Sequence, residues 1–581
     1  MDGTRTMLMI FSALPAPTIS GLAGGKFGYS PCAGLQPGRG RESMQEYDYI
    51  IVGAGSAGCV LAERLSRGGR HSVLVLEAGG GDLHPWIKLP IGYGRLFYHP
   101  RLNWRYVTEP EPACEGRDGY WPRGRVVGGS SSINALVYCR GMPFDFDDWR
   151  DAGASGWGWS DVRPHFEQIE SHIGTDGTRR GAGPLFVSDV RDRVHPANRH
   201  YFAAAAECGL PLSDDVNGLQ PEGAGYYPIT VRNGLRWSAA DAFLRPALRR
   251  PNLCLLTHAL ARRVLFEGRR ASGVEVLRKG ELLTVRARRE LILSAGAVNS
   301  PQLLQLSGVG PGALLQQHGI PQVFANDNVG GNLQDHLAVT YYYKATERTM
   351  NNELSPWWGK AWAGLKYLLA RRGPLGLSIN QCGGFVRSSP TVSRPDLQLY
   401  FTPLTYATTN AVTGKRQVIN PDPWPGFLIS FQPARPRSRG RIDIRSPEIS
   451  VAPAIRPNYL STQHDRDVVV AGGRLLQAMV RTTALRHLIR EAIPPDIGRL
   501  DDEGLLADFR ARCGTVFHPA STCRMGRDAN GAVVDAQLRV FGVERLRVID
   551  ASAFPGVTSG NINAPTLMLA HKAADAILSE D

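Results

Sequence analysis

The chain has 581 residues, 43% of them hydrophobic and 20% charged, with a formal net charge of +13. At roughly 150 residues per domain, this length accommodates about two to four folding units and excludes a small stapled module. No apolar run approaches the roughly 18 residues of a membrane-spanning helix, and nine cysteines without CxxC or Cys/His spacing argue against a zinc site or a disulfide framework.

In chain order, residues 1–43 read as a disordered extension rich in Gly, Pro and Arg. Within it Met7 to Leu14 has the look of a weak signal-peptide core. The first convincing strand follows Met44: Tyr47 to Val52 is a short β-rich apolar run, succeeded at once by Gly53-Ala54-Gly55-Ser56-Ala57-Gly58 and a helix-like stretch from Cys59. In a strand–GxGxxG–helix unit the first Gly permits the tight turn, the second admits a pyrophosphate to the backbone, and the third allows close helix–strand packing. A second apolar strand, Ser72 to Leu76, ends in Glu77, near the offset at which a carboxylate holds a ribose hydroxyl. Farther along, Trp357, Trp358, Trp362 and Tyr367 suit the packed core face of a helix better than an entrance lining. The cluster Arg435, Arg437, Arg439 and Arg441 suits one solvated strand face. It lacks the interleaved aromatics of a nucleic-acid platform, and no nucleic-acid partner is expected.

Several separated segments, in order, resemble the signatures of the glucose-methanol-choline (GMC) oxidoreductase family. Gly124 to Asn134 (GRVVGGSSSIN) is similar to its first signature, and Gly296 to Pro301, continuing to Gly310, to its second. Val329 to His336 (VGGNLQDH), Phe517-His518-Pro519 and the stretch from Asp550 to Thr566 extend the likeness to nearly everything from Tyr47 onward. The resemblance implies an α/β fold in which a Rossmann-type FAD-binding domain joins a substrate-binding domain built on an antiparallel sheet. The expected division is 44–190, 250–340 and 515–581 for the FAD-binding domain, and 191–249 and 341–514 for the substrate-binding domain.

The implied cofactor is FAD. Gly53, Gly55 and Gly58 then approach the pyrophosphate, Glu77 the adenosine ribose, and Val126, Gly129 and Asn134 lie against the cofactor. Ala261 stands where relatives place a Val beside the adenine, and Asp550 and Ala551 reach the flavin end. Some relatives attach FAD through a His in the first signature; Ile133 occupies that position here, so the flavin is expected to be non-covalent, and no metal is expected.

Oxidising an alcohol requires a proton to leave the hydroxyl and a hydride to leave the carbon. By the resemblance His518 is the general base and Asn561 its partner, with Asn563 a flavin contact. His336 reads as structural, and Cys523 as a small packed residue. Gln381 occupies a segment where choline-oxidising relatives tend to carry a carboxylate, which argues against a quaternary ammonium substrate. The expectation is thus FAD-dependent oxidation of a primary or secondary alcohol, a dehydrogenase before an oxidase, with quinone and oxygen both open as acceptor. The expected location is cytoplasmic and soluble, with room for peripheral membrane association. The same scaffold used as a photodecarboxylase or lyase is one alternative: Cys382 lies in the relevant region, but no matching Arg does. A flavin-binding protein without turnover is the other.

Overall fold

The computed structural model describes residues 45–408 and 419–580. The extension expected over residues 1–43 lies outside the described residues.

The first sheet has seven strands. Strand β1 (Gln45–Val52) is followed by helix α1 (Ser56–Ser66) and β2 (Val73–Glu77); β3 (Leu253–Thr257), β4 (Ala259–Glu267), β5 (Arg270–Arg278) and β6 (Glu281–Leu293) join much later in the chain. Their order is β3-β2-β1-β6-β5-β4, parallel from β3 through β6 and antiparallel through the last two. Each of the five residues of β2 is buried. That burial is why Val73-Leu74-Val75-Leu76 reads as a continuous apolar run rather than an alternating one. Val52 lies opposite both Leu76 and Leu293, so the carboxyl ends of β1, β2 and β6 reach the same edge. In open parallel sheets that edge is where ligands bind.

After β6 the chain enters helix α2 (Gly296–Leu306) and then the second sheet. This sheet begins with β7 (Leu337–Ala345), interrupted by helix α3 (Trp357–Ala370), and continues with β8 (Cys382–Val386), β9 (Leu397–Thr402), β10 (Gly426–Pro433), helix α4 (Gln463–Arg481), β11 (Ile489–Ile493) and β12 (Gly514–Thr515). The order is β8-β9-β10-β7-β11, with β12 also on β7, and the pairings are antiparallel. Val339, Tyr341 and Tyr343 alternate inward from β7 and pack with Phe401, Phe427 and Phe431 and with Val469, Leu476 and Met479 of α4. This period-two burial follows from the pleat. Finally β13 (Leu546–Val548) returns to the first sheet, parallel to β6, and helix α5 (Asn563–Ser579) packs on α1.

Two surface readings change. Helix α3 forms over the expected Trp-rich stretch, but it buries only Gly359, Ala363 and Tyr367 and leaves Trp357, Trp358 and Trp362 in solvent. Nor do the four arginines share a strand: residues 434–439 are irregular and the strand that follows begins only at Arg441. Arg435 pairs with Asp148, and Arg441 with Asp443. Among the described residues, no helix is long and apolar enough to cross a membrane.

Candidate active site

A cavity of about 250 Å³ runs along the carboxyl edge of the first sheet and reaches the end of the second. One stretch of its wall is the turn after β1. Gly53 has φ +105°, and a Cβ there would stand 2.5 Å from the carbonyl oxygen of Ser294. Gly58 packs so closely that a Cβ would meet the Gly53 oxygen at 1.9 Å. Gly129 (φ +55°) opens a 3-10 turn, Gly129–Ser132, and lies against Gly55, where its Cβ would meet Cα at 2.6 Å. Gly128 ties the two turns together by donating to the Ala54 carbonyl at 2.7 Å. The result is a bare-backbone cradle at the N-terminus of α1, which has no acidic residue in its first turn. Such a terminus favours a phosphate group.

Gly53, Gly55, Glu77, Gly129, Asn134, Ala261, Asp550, Ala551 and Asn563 line this cavity, as do His518 and Asn561. Gly58 and Val126 are absent from the wall. Gly58 shapes the turn from behind, and the Val126 side chain is buried with Ile87, Leu96, Leu102 and Ile133. Both oxygens of Glu77 accept backbone N–H groups, from Ala54 at 3.0 Å and Gly79 at 2.8 Å. Asp550 accepts from Gly296 N–H at 2.8 Å and from the hydroxyl of Ser300 at 2.5 Å. Burial raises the pKa of both carboxyls despite these donors. Among the described residues, these are the carboxylates on the wall, and its one cation is Arg123.

His518 stands where the second sheet meets the cavity. The antiparallel pairing of β7 with β12 sets Leu337 against Thr515, and Val516 N–H donates to the His336 carbonyl at 3.1 Å. Two side chains 182 residues apart are thereby brought together, with Nδ1 of His336 3.0 Å from Nδ1 of His518. The Nε2 of His336 lies 2.9 Å from the carbonyl oxygen of Ala434. A carbonyl can only accept, so that nitrogen carries the proton. Burial lowers the His336 pKa to about 4, and the ring is neutral. Its Nδ1 is therefore bare and accepts a hydrogen bond from Nδ1–H of His518. Burial, with His336 and Arg123 facing it, holds His518 well below the ordinary histidine range. Neutral and protonated on Nδ1, His518 presents an unprotonated Nε2. The amide nitrogen of Asn561 lies 3.1 Å from that atom and donates to it. The amide oxygen of Asn561 is buried without a partner.

Residues around this pair escaped sequence reasoning. Asp335 accepts from the backbone N–H of His518 at 2.8 Å and from the hydroxyls of Tyr459 and Thr515, both at 2.6 Å. Arg123, half-buried and with its pKa lowered to about 10 by desolvation, donates to the Phe517 carbonyl at 2.6 Å. The NLQDH segment carrying Asp335 and His336 was visible in the sequence, but its pairing to residues 514–520 was not. Gln381 is also placed differently from expectation. It is buried away from the wall, its Oε1 accepting from His195 N–H and Asn198 Nδ2.

The GMC oxidoreductase family models match residues 47–338 and 436–570. The chain is a GMC oxidoreductase. A Pseudomonas putida protein named alcohol dehydrogenase [acceptor] is 41% identical over 92% of this chain and 96% of its own length. Mouse mitochondrial choline dehydrogenase is 41% identical over 94% and 91%. Among solved structures, pyridoxine 4-oxidase from Mesorbium loti aligns with TM-score 0.81 at 31% identity, covering 92% of this chain and 99% of its own. As a GMC oxidoreductase, the chain is an FAD-dependent enzyme acting on CH–OH groups, with an FAD-binding and a substrate-binding domain. The bare-backbone cradle and the stretch from Ala261 and Glu77 to Asp550 and Asn563 fit that cofactor.

Proposed function

We propose that the enzyme oxidises a neutral primary or secondary alcohol to an aldehyde or ketone, with His518 as general base and Asn561 as the group that holds the substrate oxygen. The observation that carries this reading is the unprotonated Nε2 of His518, which accepts from the amide of Asn561. An alcohol entering here displaces the amide from Nε2, donates its hydroxyl proton to that nitrogen, and accepts the Asn561 N–H on its oxygen. The lowered pKa keeps His518 unprotonated at neutral pH and ready for the proton. FAD, when bound, supplies the acceptor for the hydride. Asp335 and Arg123 hold the N–H and the carbonyl of the Phe517–His518 peptide, and fix where the ring stands.

The wall argues for a neutral substrate. Its carboxylates, Glu77 and Asp550, are engaged by backbone donors, and half-buried Arg123 stands near His518. The carboxylate nearest His518, Asp335, faces Arg123 and bonds Tyr459, Thr515 and the His518 backbone, so it is not left over for a quaternary ammonium. Ile133, on the same wall, offers no nucleophile for a flavin bond, so FAD is held without a covalent link. Anaerobic bleaching of the bound flavin tests this directly: 3,3-dimethylbutan-1-ol, the uncharged isostere of choline, reduces it faster than choline does. Faster reduction by choline would contradict the neutral-substrate reading, and no bleaching by any alcohol would contradict the reaction.

A further inference from the structure

We infer that helix α3 is a docking surface for an anionic lipid bilayer. The helix runs from Trp357 to Ala370 on the second half of the chain, and six of its large apolar side chains face water: Trp357 and Leu369 are each 79% exposed, and Trp358, Trp362, Leu365 and Leu368 between 44% and 57%. At 3.6 residues per turn these six occupy one continuous arc of roughly 140°. The opposite arc, Gly359, Ala363 and Tyr367, is the one that packs on the protein.

Isolated exposed apolar residues are ordinary, but a contiguous stripe on one helix marks an interaction surface. The charges around it select the partner. Residues 357–372 contain Lys360, Lys366, Arg371 and Arg372 and no acidic residue. By the same helical spacing, Lys360 and Lys366 fall on the two borders of the apolar arc, with Arg371 and Arg372 at its C-terminal end. Long cationic side chains bordering a stripe of Trp and Leu match a helix lying in the lipid interface, with apolar side chains among the acyl chains and ammonium groups at the phosphates. The helix is too short and too charged to span, so it lies on the surface.

Its position gives the surface a use. Ala363 packs in a cluster with Tyr93, Met350 and Ile379, against which Phe97 and Ala135 also pack. Phe97 and Ala135 line the cavity, and Phe97 meets the ring of Phe517, next to His518, edge-on at 5.3 Å. The docking helix and two residues of the cavity wall thus belong to one packed cluster.

Sedimentation of the holoenzyme with lipid vesicles tests the proposal. Vesicles of phosphatidylcholine with about 30% phosphatidylglycerol are expected to take down the protein, more than phosphatidylcholine alone, with the difference fading in high salt. Trp358→Ser with Leu369→Ser is expected to lower the bound fraction at least tenfold, and Lys360→Glu with Lys366→Glu to abolish the preference for phosphatidylglycerol. Both pairs should leave flavin reduction by a water-soluble alcohol unchanged, which shows an intact fold. Failure of the holoenzyme to bind either vesicle overturns the proposal. So does self-association that the Trp358/Leu369 pair removes without any vesicle binding, since the occupant is then a second copy of the chain.

Discussion

His518 Nε2 is unprotonated because of an atom two hydrogen bonds away, the carbonyl oxygen of Ala434. That oxygen fixes the His336 proton, and His336 fixes the tautomer of His518. His336→Phe removes the acceptor and lets His518 take the wrong tautomer. The expected loss is tenfold or more in the rate of flavin reduction, with FAD still bound and an altered pH profile, since a misplaced proton on a catalytic imidazole is costly. An unchanged profile would make His336 packing alone. In the parent enzyme, His336 and Arg123 facing His518, together with burial, hold its pKa well below 6.5, while Asp335 bonds its backbone rather than its ring. The base form is populated above that lowered pKa, so kcat/KM for alcohol should be flat from about pH 6.5 through neutrality and fall only on the acid side. A loss of activity centred at pH 7 or above, as the pH is lowered, would contradict this. Single residues also mark where sequence reading stops. Gln381 occupied a promising segment, yet its amide is spent on His195 and Asn198 inside the protein, a fact no linear neighbour announces.

The turns after β1 and before Asn134 were legible because their constraint is local. A glycine whose added Cβ would stand 2.6 Å from another backbone atom advertises itself in the sequence. Gly129→Ala therefore pushes the Gly55 turn away from its place, on a backbone of positive φ. The expected product is a folded protein that purifies with little FAD, measured by the ratio of flavin to protein absorbance; full occupancy in the variant would contradict the cradle. Two other features had no local signature. The β7–β12 pairing joins segments about 180 residues apart and is what brings His336 to His518. Helix α3 was visible as a helix, but Trp spacing alone does not say whether a stripe meets protein or water, and here the small residues Gly359 and Ala363 took the inner face with Tyr367.

The two sheets converge on one cavity, and the chain crosses between them more than once, so stability and function share buried ionisable groups. His571, on α5, faces Arg64, Asp575, His165 and Arg67; burial and the neighbouring guanidinium groups lower its pKa to about 4 against the opposing pull of Asp575. The unfolded chain takes up this proton near pH 6.5 and the folded chain does not. Its contribution to stability is therefore complete above 6.5 and lost as the pH falls toward 4. Asp145, raised to about 6 by burial, acts in the opposite sense. Comparison of variants isolates the histidine: the melting temperature of His571→Gln should fall less than that of the parent between pH 7 and 5. Parallel curves would contradict the assignment.

The proposed division of labour is that His518 Nε2 takes the alcohol proton while a separate part of the cavity holds FAD. Stopped-flow measurement of anaerobic flavin reduction in His518→Ala, at matched FAD content, tests it most directly. The rate is expected to fall at least roughly a hundredfold, the scale of a lost positioned base, and Asn561→Ala should cost less because it removes a hydrogen bond to the substrate oxygen rather than the proton acceptor. Near-parental reduction in His518→Ala with full FAD occupancy would contradict the claim.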